Sequence, residues 1–481
     1  MKGYNLYSYR WYKPPLKELG DIYICRVAPS ENAIHFEWHD AGEASYCIYC
    51  RPMEEGEFAL CGTTKATAFD ITGLTEGKDY EFYVCAGEKK SLVRLARTGL
   101  VEGTVVNYLH PLDKVYEFSG QYLGSPSLVR HDEGHLLASM DLFQGKNAMN
   151  FTLVYRSDDD GKTWQHVCEL VPCTGATLFM HKGELYALGR SADYGDLLIS
   201  KSTDGGNTFC APMCILRGAN SYKPCNGVHI NPQKPICYQG RLYAALEWGN
   251  WANKTYGHAA MVMSCDENAD LMNPENWSLT EPRPFDRFVP ELELLPMDSI
   301  TIEGNVVASP EGKLYNVMRF GYYKKALAYE IDLENPEAQL KYSHLIEFPA
   351  NQSKFIIQYD EVSGYYYTIG CYYTIDSQLY NPEDGTIVSF DFQDMDKHDV
   401  RNCQSLIRSK DFVNWEVVKH LLDYRDQDPM YVGLQYTDFL MEGDDMLYLT
   451  RTGLNGANSF HNSNYCVFHR LKNFRTDPTL E

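Results

Sequence analysis

One eight-residue pattern recurs along most of the chain: GHLLASMD (134–141), GELYALGR (183–190), GRLYAALE (240–247), GKLYNVMR (312–319), SGYYYTIG (363–370) and DDMLYLTR (444–451). Each copy is a turn followed by an apolar strand. A shorter strand precedes each one, as in GSPSLVRH, ATLFMH, KPICYQ, GNVVASP, SKFIIQYD and QYTDFLME, and most are followed by a further strand and a polar turn such as LLISKSTDGGNTF. A unit of three or four short antiparallel strands cannot bury both faces of its own sheet, so the units must pack on one another around an axis. The expected fold is therefore all-β: a six-bladed β-propeller over residues 115–475, with the VYEFSG stretch (115–120) closing the ring beside the last blade. A seventh blade stays open.

The segment before this array has another rhythm. Residues 20–100 alternate apolar and polar in short runs (AIHFEWHD, ASYCIYCRP, YEFYVCAG) broken by Gly, Asp, Glu and Ser, which reads as antiparallel strands of a small β-sandwich. Residues 1–19 form an N-terminal extension and 101–114 a linker. Cys47 and Cys50 make a CxxC, but positions three apart on a strand point to opposite faces, so the thiols do not converge. TAFDITGLTEGKDYEFYVCA places Leu74, Gly77, Tyr80 and Val84 at the spacing of a tyrosine corner. With Trp38, Tyr46 and Tyr49, the stretch resembles a fibronectin type III domain, which implies a spacer or docking module.

The polar turns carry the second resemblance. Ser157, Asp159, Gly161, Thr163 and Trp164 match SxDxGxTW, and Ser202, Asp204, Gly206, Thr208 and Phe209 repeat it with Phe. SCDENADLMNPENW (Ser264, Asp266, Trp277) and SKDFVNW (Ser409, Asp411, Trp415) are lengthened and shortened versions. In the first two, Ser and Asp can bond the turn backbone while Gly supplies a positive φ. These are Asp-boxes (BNR repeats), and residues 115–475 resemble the sialidase-like propeller family. The resemblance implies that the Asp-box aspartates are structural. It also implies an arginine triad gripping a substrate carboxylate, a Tyr nucleophile helped by Glu, and an Asp acid/base, as in an exo-alpha-sialidase. The family's first-blade Arg-Ile-Pro signature is replaced here by GSPSLV, without Arg. GSPS and the final NYCVFHR (464–470) are closer to a less characterised branch, related to propellers that cleave rhamnose-glucuronate linkages with a His. Met140 stands where that His is expected, leaving His131, His135 and His229.

If first strands run from the top of the propeller to the bottom and second strands return, first-strand starts and second-strand ends meet around one mouth, opposite the Asp-box turns. The second-strand ends supply Asp141, Arg190, Glu247, Arg319, Tyr372 or Tyr373, and Arg451. The first-strand starts supply Ser125, Thr177, His229, Glu303 with Asn305, Lys354, and Tyr436 with Asp438. A guanidinium fork grips both oxygens of a carboxylate, so Arg190, Arg319 and Arg451 are expected to bind an acidic ligand, with Lys354 assisting. Structural pairing of these arginines with Glu247 or Asp141 is the alternative. Glu247, Glu303 or Asp438 would do acid/base work. Loop residues Trp248, Trp251 and Tyr256 offer rings to a sugar face, and His461, Asn462 and Asn464 add polar groups; Asp141, Tyr373 and Tyr436 complete the binding set.

Composition narrows the partners. With 43 basic against 65 acidic residues the net charge is -22, which disfavours nucleic acid and anionic membranes. The 15 Cys lack a disulfide-framework spacing, and no apolar run is long enough for a signal or membrane segment, so a cytoplasmic protein is expected. No cofactor is expected: nucleotide fingerprints and spaced Cys/His metal sets are missing, and an axial calcium is compatible but not required. The expected activity is that of a glycoside hydrolase releasing a terminal sugar from a small acidic glycan. A uronate or rhamnose-glucuronate lyase using His229, a rhamnosidase, and a non-catalytic glycan binder are the alternatives. Oligomeric state is not encoded in any readable feature.

Overall fold

The structure, a computed structural model, describes residues 16–144, 149–218, 226–250, 257–285, 289–291, 301–320, 325–350, 353–372, 378–380, 387–389 and 400–481. Among these there is no α-helix, only antiparallel sheets, turns and two short 3-10 segments.

Near the N-terminus, strict alternation does what period-two patterning requires. In Ala33–Trp38, residues Ile34, Phe36 and Trp38 are buried while His35 and Glu37 face outward. This strand lies between Ile24–Pro29 and Ala68–Thr72 in one sheet. A second sheet joins Ala59–Thr64, Tyr46–Pro52 and Asp79–Ala86, with Lys89–Lys90 and Arg94–Arg97 also pairing to Asp79–Ala86. Phe36 and Trp38 from one sheet and Ile48, Phe82 and Val84 from the other share a core, the Phe36 and Phe82 rings standing 4.7 Å apart. Each such side chain contributes about 1.5–3 kcal/mol by leaving water. The Tyr80 hydroxyl accepts the Thr75 N–H at 2.9 Å, fixing the corner that the sequence spacing suggests.

Six further sheets of four or five strands follow in chain order, and a separate two-stranded sheet pairs Gln378–Tyr380 with Ile387–Ser389. The first holds Tyr122–Leu123, Ser127–Arg130, Leu136–Phe143, Thr152–Ser157 and Gln165–Leu170; the second, Thr174–His181, Glu184–Arg190, Leu197–Ser202 and Met213–Leu216. The third holds Gly227–His229, Ile236–Tyr238, Arg241–Gly249, His258–Asp266 and Ser278–Leu279; the fourth, Thr301–Ala308, Leu314–Phe320, Lys325–Glu330 and Lys341–Glu347. The fifth holds Gln358–Asp360, Tyr365–Cys371, Cys403–Ser409 and Trp415–Asp423; the sixth, Gly433–Glu442, Asp445–Gly453, Tyr465–Lys472 and Thr479–Leu480. Hydrogen bonds tie neighbours together: Thr177 to Gln233 between the second and third sheets, Asn305 to Phe355 between the fourth and fifth, and Gln358 to Phe439 between the fifth and sixth. The sixth also meets the first, where Asp438 accepts the Leu128 N–H at 2.7 Å and Glu442 pairs with Arg130.

The closing strand differs from expectation. Residues 115–119 form a turn, and the strand added to the sixth sheet is Thr104–Tyr108, from the segment read as a linker; it pairs antiparallel with Tyr465–Lys472. The core of the N-terminal sheets continues through it, since Tyr108, Leu454, Tyr465 and Val467 belong to the same cluster as Phe36.

The polar turns use their aspartates locally. Asp159 accepts the Thr163 N–H and hydroxyl at 2.8 and 2.7 Å, Ser157 accepts the Gly161 N–H at 2.8 Å, and Gly161 has φ +88°. Asp204 repeats this with Thr208, and Asp411 accepts the N–H groups of Val413 and Asn414. The buried Trp164 indole donates to Gly161 O at 3.1 Å.

Candidate active site

A cavity of about 250 Å³ opens where all six sheets contribute residues. Its walls carry Arg190, Arg319, Arg401 and Arg451 against the carboxylates of Asp141, Asp193 and Glu303, a cationic excess in a chain of net charge -22. The three arginines grouped by the repeat alignment thus converge, each from the end of a second strand. Arg401 is a fourth that the alignment does not index, because it precedes the third strand of the fifth sheet.

The floor of the cavity depends on breaks in strand register. Pairing slips between Thr174 and Thr177, between Ile302 and Asn305, and between Gln435 and Asp438. Within these bulges Gly175, Glu303 and Tyr436 take φ of +62°, +58° and +58°. A left-handed residue in a bulge re-aims its side chain, and for a non-glycine it costs about 1–3 kcal/mol that the surrounding packing must offset. Here the two side chains meet: Tyr436 OH donates to Glu303 Oε1 at 2.7 Å, and Arg319 Nη1 lies 2.6 Å from Glu303 Oε2. Asn231 also donates to Glu303. Burial opposes ionisation of Glu303, but Arg319, His229 and the Arg319 and Tyr436 hydrogen bonds overcome it and hold the carboxyl down at about 2. Burial, reinforced by Glu303, raises the Tyr436 hydroxyl.

The arginines are held unequally. Arg451 packs over Phe143 at 4.0 Å and Tyr436 at 4.8 Å and donates to Ser463 and to the His461 carbonyl. Its burial lowers it to about 10. Arg401 donates to Gln435 and lies over Phe460. Arg190 is buried, its Nη2 is 3.9 Å from Asp193, and its Nε and Nη1 have no hydrogen-bond partner among the described residues. Two buried guanidinium N–H directions left open are costly unless a ligand fills them.

On another wall His229 Nδ1 stands 2.7 Å from Glu247 Oε2, while Glu247 Oε1 accepts the Gly304 N–H at 3.0 Å. Glu247 lies behind His229 and outside the cavity lining, so the ring's Nε2 is the nitrogen left for a ligand. Burial raises the Glu247 carboxyl well above the usual range and lowers His229, so at neutral pH the pair is neutral and holds one transferable proton. Asp141, also on the wall, accepts from Thr174 and from Gly175 N with Oδ2; its Oδ1 has no hydrogen-bond partner among the described residues.

Other residues singled out in the sequence lie elsewhere. Asp438 is 1% exposed, accepts from Leu128 and Lys234, and does not line the cavity, which gives it the geometry of a strut between sheets. Lys354 is buried outside the lining and makes no hydrogen bond among the described residues; burial lowers it to about 8. Trp248 packs against the core between the second and third sheets, so its ring is not presented to the cavity. Ser125 and His461 do line the cavity. Trp251, Tyr256 and Tyr373 fall outside the described residues.

No protein-family model matches the chain, and no curated protein matches it. Among solved structures, it is similar to the Penicillium chrysogenum alpha-L-arabinanase complexed with arabinobiose, at 16% identity over 78% of this chain and 99% of that chain, with a TM-score of 0.47. The GH93 alpha-L-arabinofuranosidase of Fusarium graminearum in complex with arabinobiose shares 14% identity over 76% of this chain and 97% of that chain, TM-score 0.47. A PL25 ulvan lyase shares 11% identity over 93% of this chain and 91% of that chain, TM-score 0.44.

Proposed function

We propose that the six sheets are the blades of a closed, sialidase-like β-propeller preceded by a fibronectin type III-like sandwich, and that the cavity hydrolyses the glycosidic bond of a terminal carboxylated sugar. One observation carries the reading: the Tyr436 hydroxyl is hydrogen-bonded to Glu303 at 2.7 Å in a cavity walled by four arginines. The substrate carboxylate enters the open donors of Arg190 and shares Arg319. Once the substrate takes over Arg319, Glu303 is no longer held so far below neutrality and can accept the Tyr436 proton. The phenolic oxygen then attacks the anomeric carbon, the strategy of glycosidases that use a Tyr nucleophile. His229 Nε2–H protonates the leaving oxygen while the Glu247 proton moves to Nδ1. In the second half, water attacks the same carbon, its proton returns through His229 to Glu247, and Tyr436 leaves to be reprotonated by Glu303.

A second reading has its own support: when Glu247 is ionised it accepts from His229 Nδ1–H, and Nε2 is then available to take the C5 proton of a uronate as the C4–O bond breaks in β-elimination, with the arginines stabilising the enolate-like charge. The test is incubation with oligosaccharides ending in sialic or uronic acids, with analysis of the products. Release of a saturated acidic sugar, falling at least about a thousandfold in Tyr436→Phe, is the expected result. An ultraviolet-absorbing unsaturated product would replace hydrolysis by elimination. Saturable binding without product would defeat both.

A further inference from the structure

Away from this cavity, three metal-ligating side chains from separated parts of the chain meet at the seam between the N-terminal sheets and the first of the six sheets. Cys25, His39 and His166 each bring one donor atom, and these atoms all lie within 4.8 Å of one another. We propose that they form a zinc site that clamps the two parts of the molecule together.

Ring geometry supports a shared ion. His39 Nε2 and His166 Nδ1 face each other at 3.2 Å, with ring centroids 5.1 Å apart. Two imidazole nitrogens on a tetrahedral zinc at 2.0–2.1 Å are separated by about 3.3 Å, so an ion fits between these rings with little movement. A carboxylate stands beside one of the rings: His166 Nε2 lies 3.2 Å from Glu169 Oε1, within ion-pair distance but without hydrogen-bond alignment, so a small turn of the ring would complete the carboxylate–histidine pairing common behind metal-bound imidazoles. Tyr23 packs edge-on against both His39 and His166.

The strands are also distorted where the ligands sit. Pairing slips between Ile24 and Arg26, leaving Cys25 as the bulged residue, and between Cys168 and His166 where they face Val154 and Tyr155. The second bulge lets His166 and Glu169, three apart, come together, which a regular strand forbids. The Tyr155 hydroxyl donates to Cys25 O at 3.0 Å across the same seam. One thiolate with two neutral imidazoles favours Zn2+ over hard cations, with the Cys25 proton released to solvent on binding. Glu169 stays on His166 and the His39 side is exposed, so the fourth position falls to water.

The test uses the full chain, equilibrated with zinc under reducing conditions and then dialysed against metal-free buffer. Elemental analysis is expected to give one zinc per chain in the wild type, and less than a tenth of that in Cys25→Ser and in His39→Asn. The exposed His39 makes the second variant safe for folding. Cobalt in place of zinc should give a thiolate-to-metal charge-transfer band that is absent in Cys25→Ser. Zinc should raise the melting temperature of the wild type by several degrees and leave His39→Asn unmoved. Failure of the wild type to retain zinc, or equal retention by His39→Asn, overturns the proposal. Equal retention by Cys25→Ser, as from the separate His131, Glu133 and His135 group, does so as well.

Discussion

Glu247 and His229 illustrate how burial sets chemistry at the level of one side chain. A carboxyl removed from water stays protonated beyond its usual range, and a buried imidazole resists charging, so the pair keeps a deliverable proton at neutral pH. Hydrolysis should therefore fall on the alkaline side, as pH rises through the raised Glu247 titration. In Glu247→Gln that limb should vanish and kcat should drop by about 10²–10⁴, as a pH–rate profile would register. Lys354 works in the opposite direction. Its buried ammonium titrates at about 8, against an ordinary 10.5, so the folded state binds the proton less tightly than the unfolded chain. The penalty is full below pH 8, on the order of 3 kcal/mol, and is relieved as pH rises towards 10.5. Lys354→Met should be more stable than wild type in urea unfolding at pH 7, by about 1–3 kcal/mol, and the gain should disappear near pH 10.5. Arg190, Arg319 and Arg451 were legible in the sequence because second-strand ends align from repeat to repeat. The mutual contact of Glu303 and Tyr436 was not, since it depends on bulges with φ near +58° that no local composition announces.

At the level of the strand and turn, local chemistry explains why the repeats are readable. The Ser–Asp–Gly–Thr turns hold themselves together, so their sequence is dictated by their own hydrogen bonds rather than by distant partners. Gly161 is the point where local and tertiary demands coincide. It has φ +88°, and a Cβ there would stand 2.1 Å from the Phe468 ring of the sixth sheet. Gly161→Ala should destabilise the protein by about 2–4 kcal/mol, read from the midpoint of denaturant unfolding with unchanged slope. Alanine at Gly134, where nothing lies within 4 Å of the added Cβ but φ is +97°, separates backbone strain from collision and should cost less. Thr104–Tyr108 was missed for the complementary reason. TVVNY is a five-residue run without apolar–polar alternation, and its assignment to the sixth sheet is decided by Tyr465–Lys472, at the other end of the chain.

Across the whole molecule, that strand makes the two parts interdependent. Arg26 donates to the Val105 and Val106 carbonyls, Arg94 forms a buried 2.6 Å pair with Asp113, and the Tyr108 and Tyr465 rings pack at a tilt with centroids 4.6 Å apart. The N-terminal sheets are thus joined to the six-sheet array by a shared core and a shared ladder, not by a flexible tether. A chain beginning at residue 111 would leave the edge at Tyr465–Phe468 unpaired and uncover Val432, Leu454, Tyr465 and Val467, all now buried. Four large apolar side chains at about 1.5–3 kcal/mol each, plus a lost strand, should lower the melting temperature by on the order of 10 °C and favour edge-to-edge association. The intact protein should unfold with coincident transitions by tryptophan fluorescence and circular dichroism, Trp38 reporting on the N-terminal core and Trp164 and Trp277 on the array. Two resolved transitions, or a truncated chain as stable as the whole, would mean that the common core does not couple the parts.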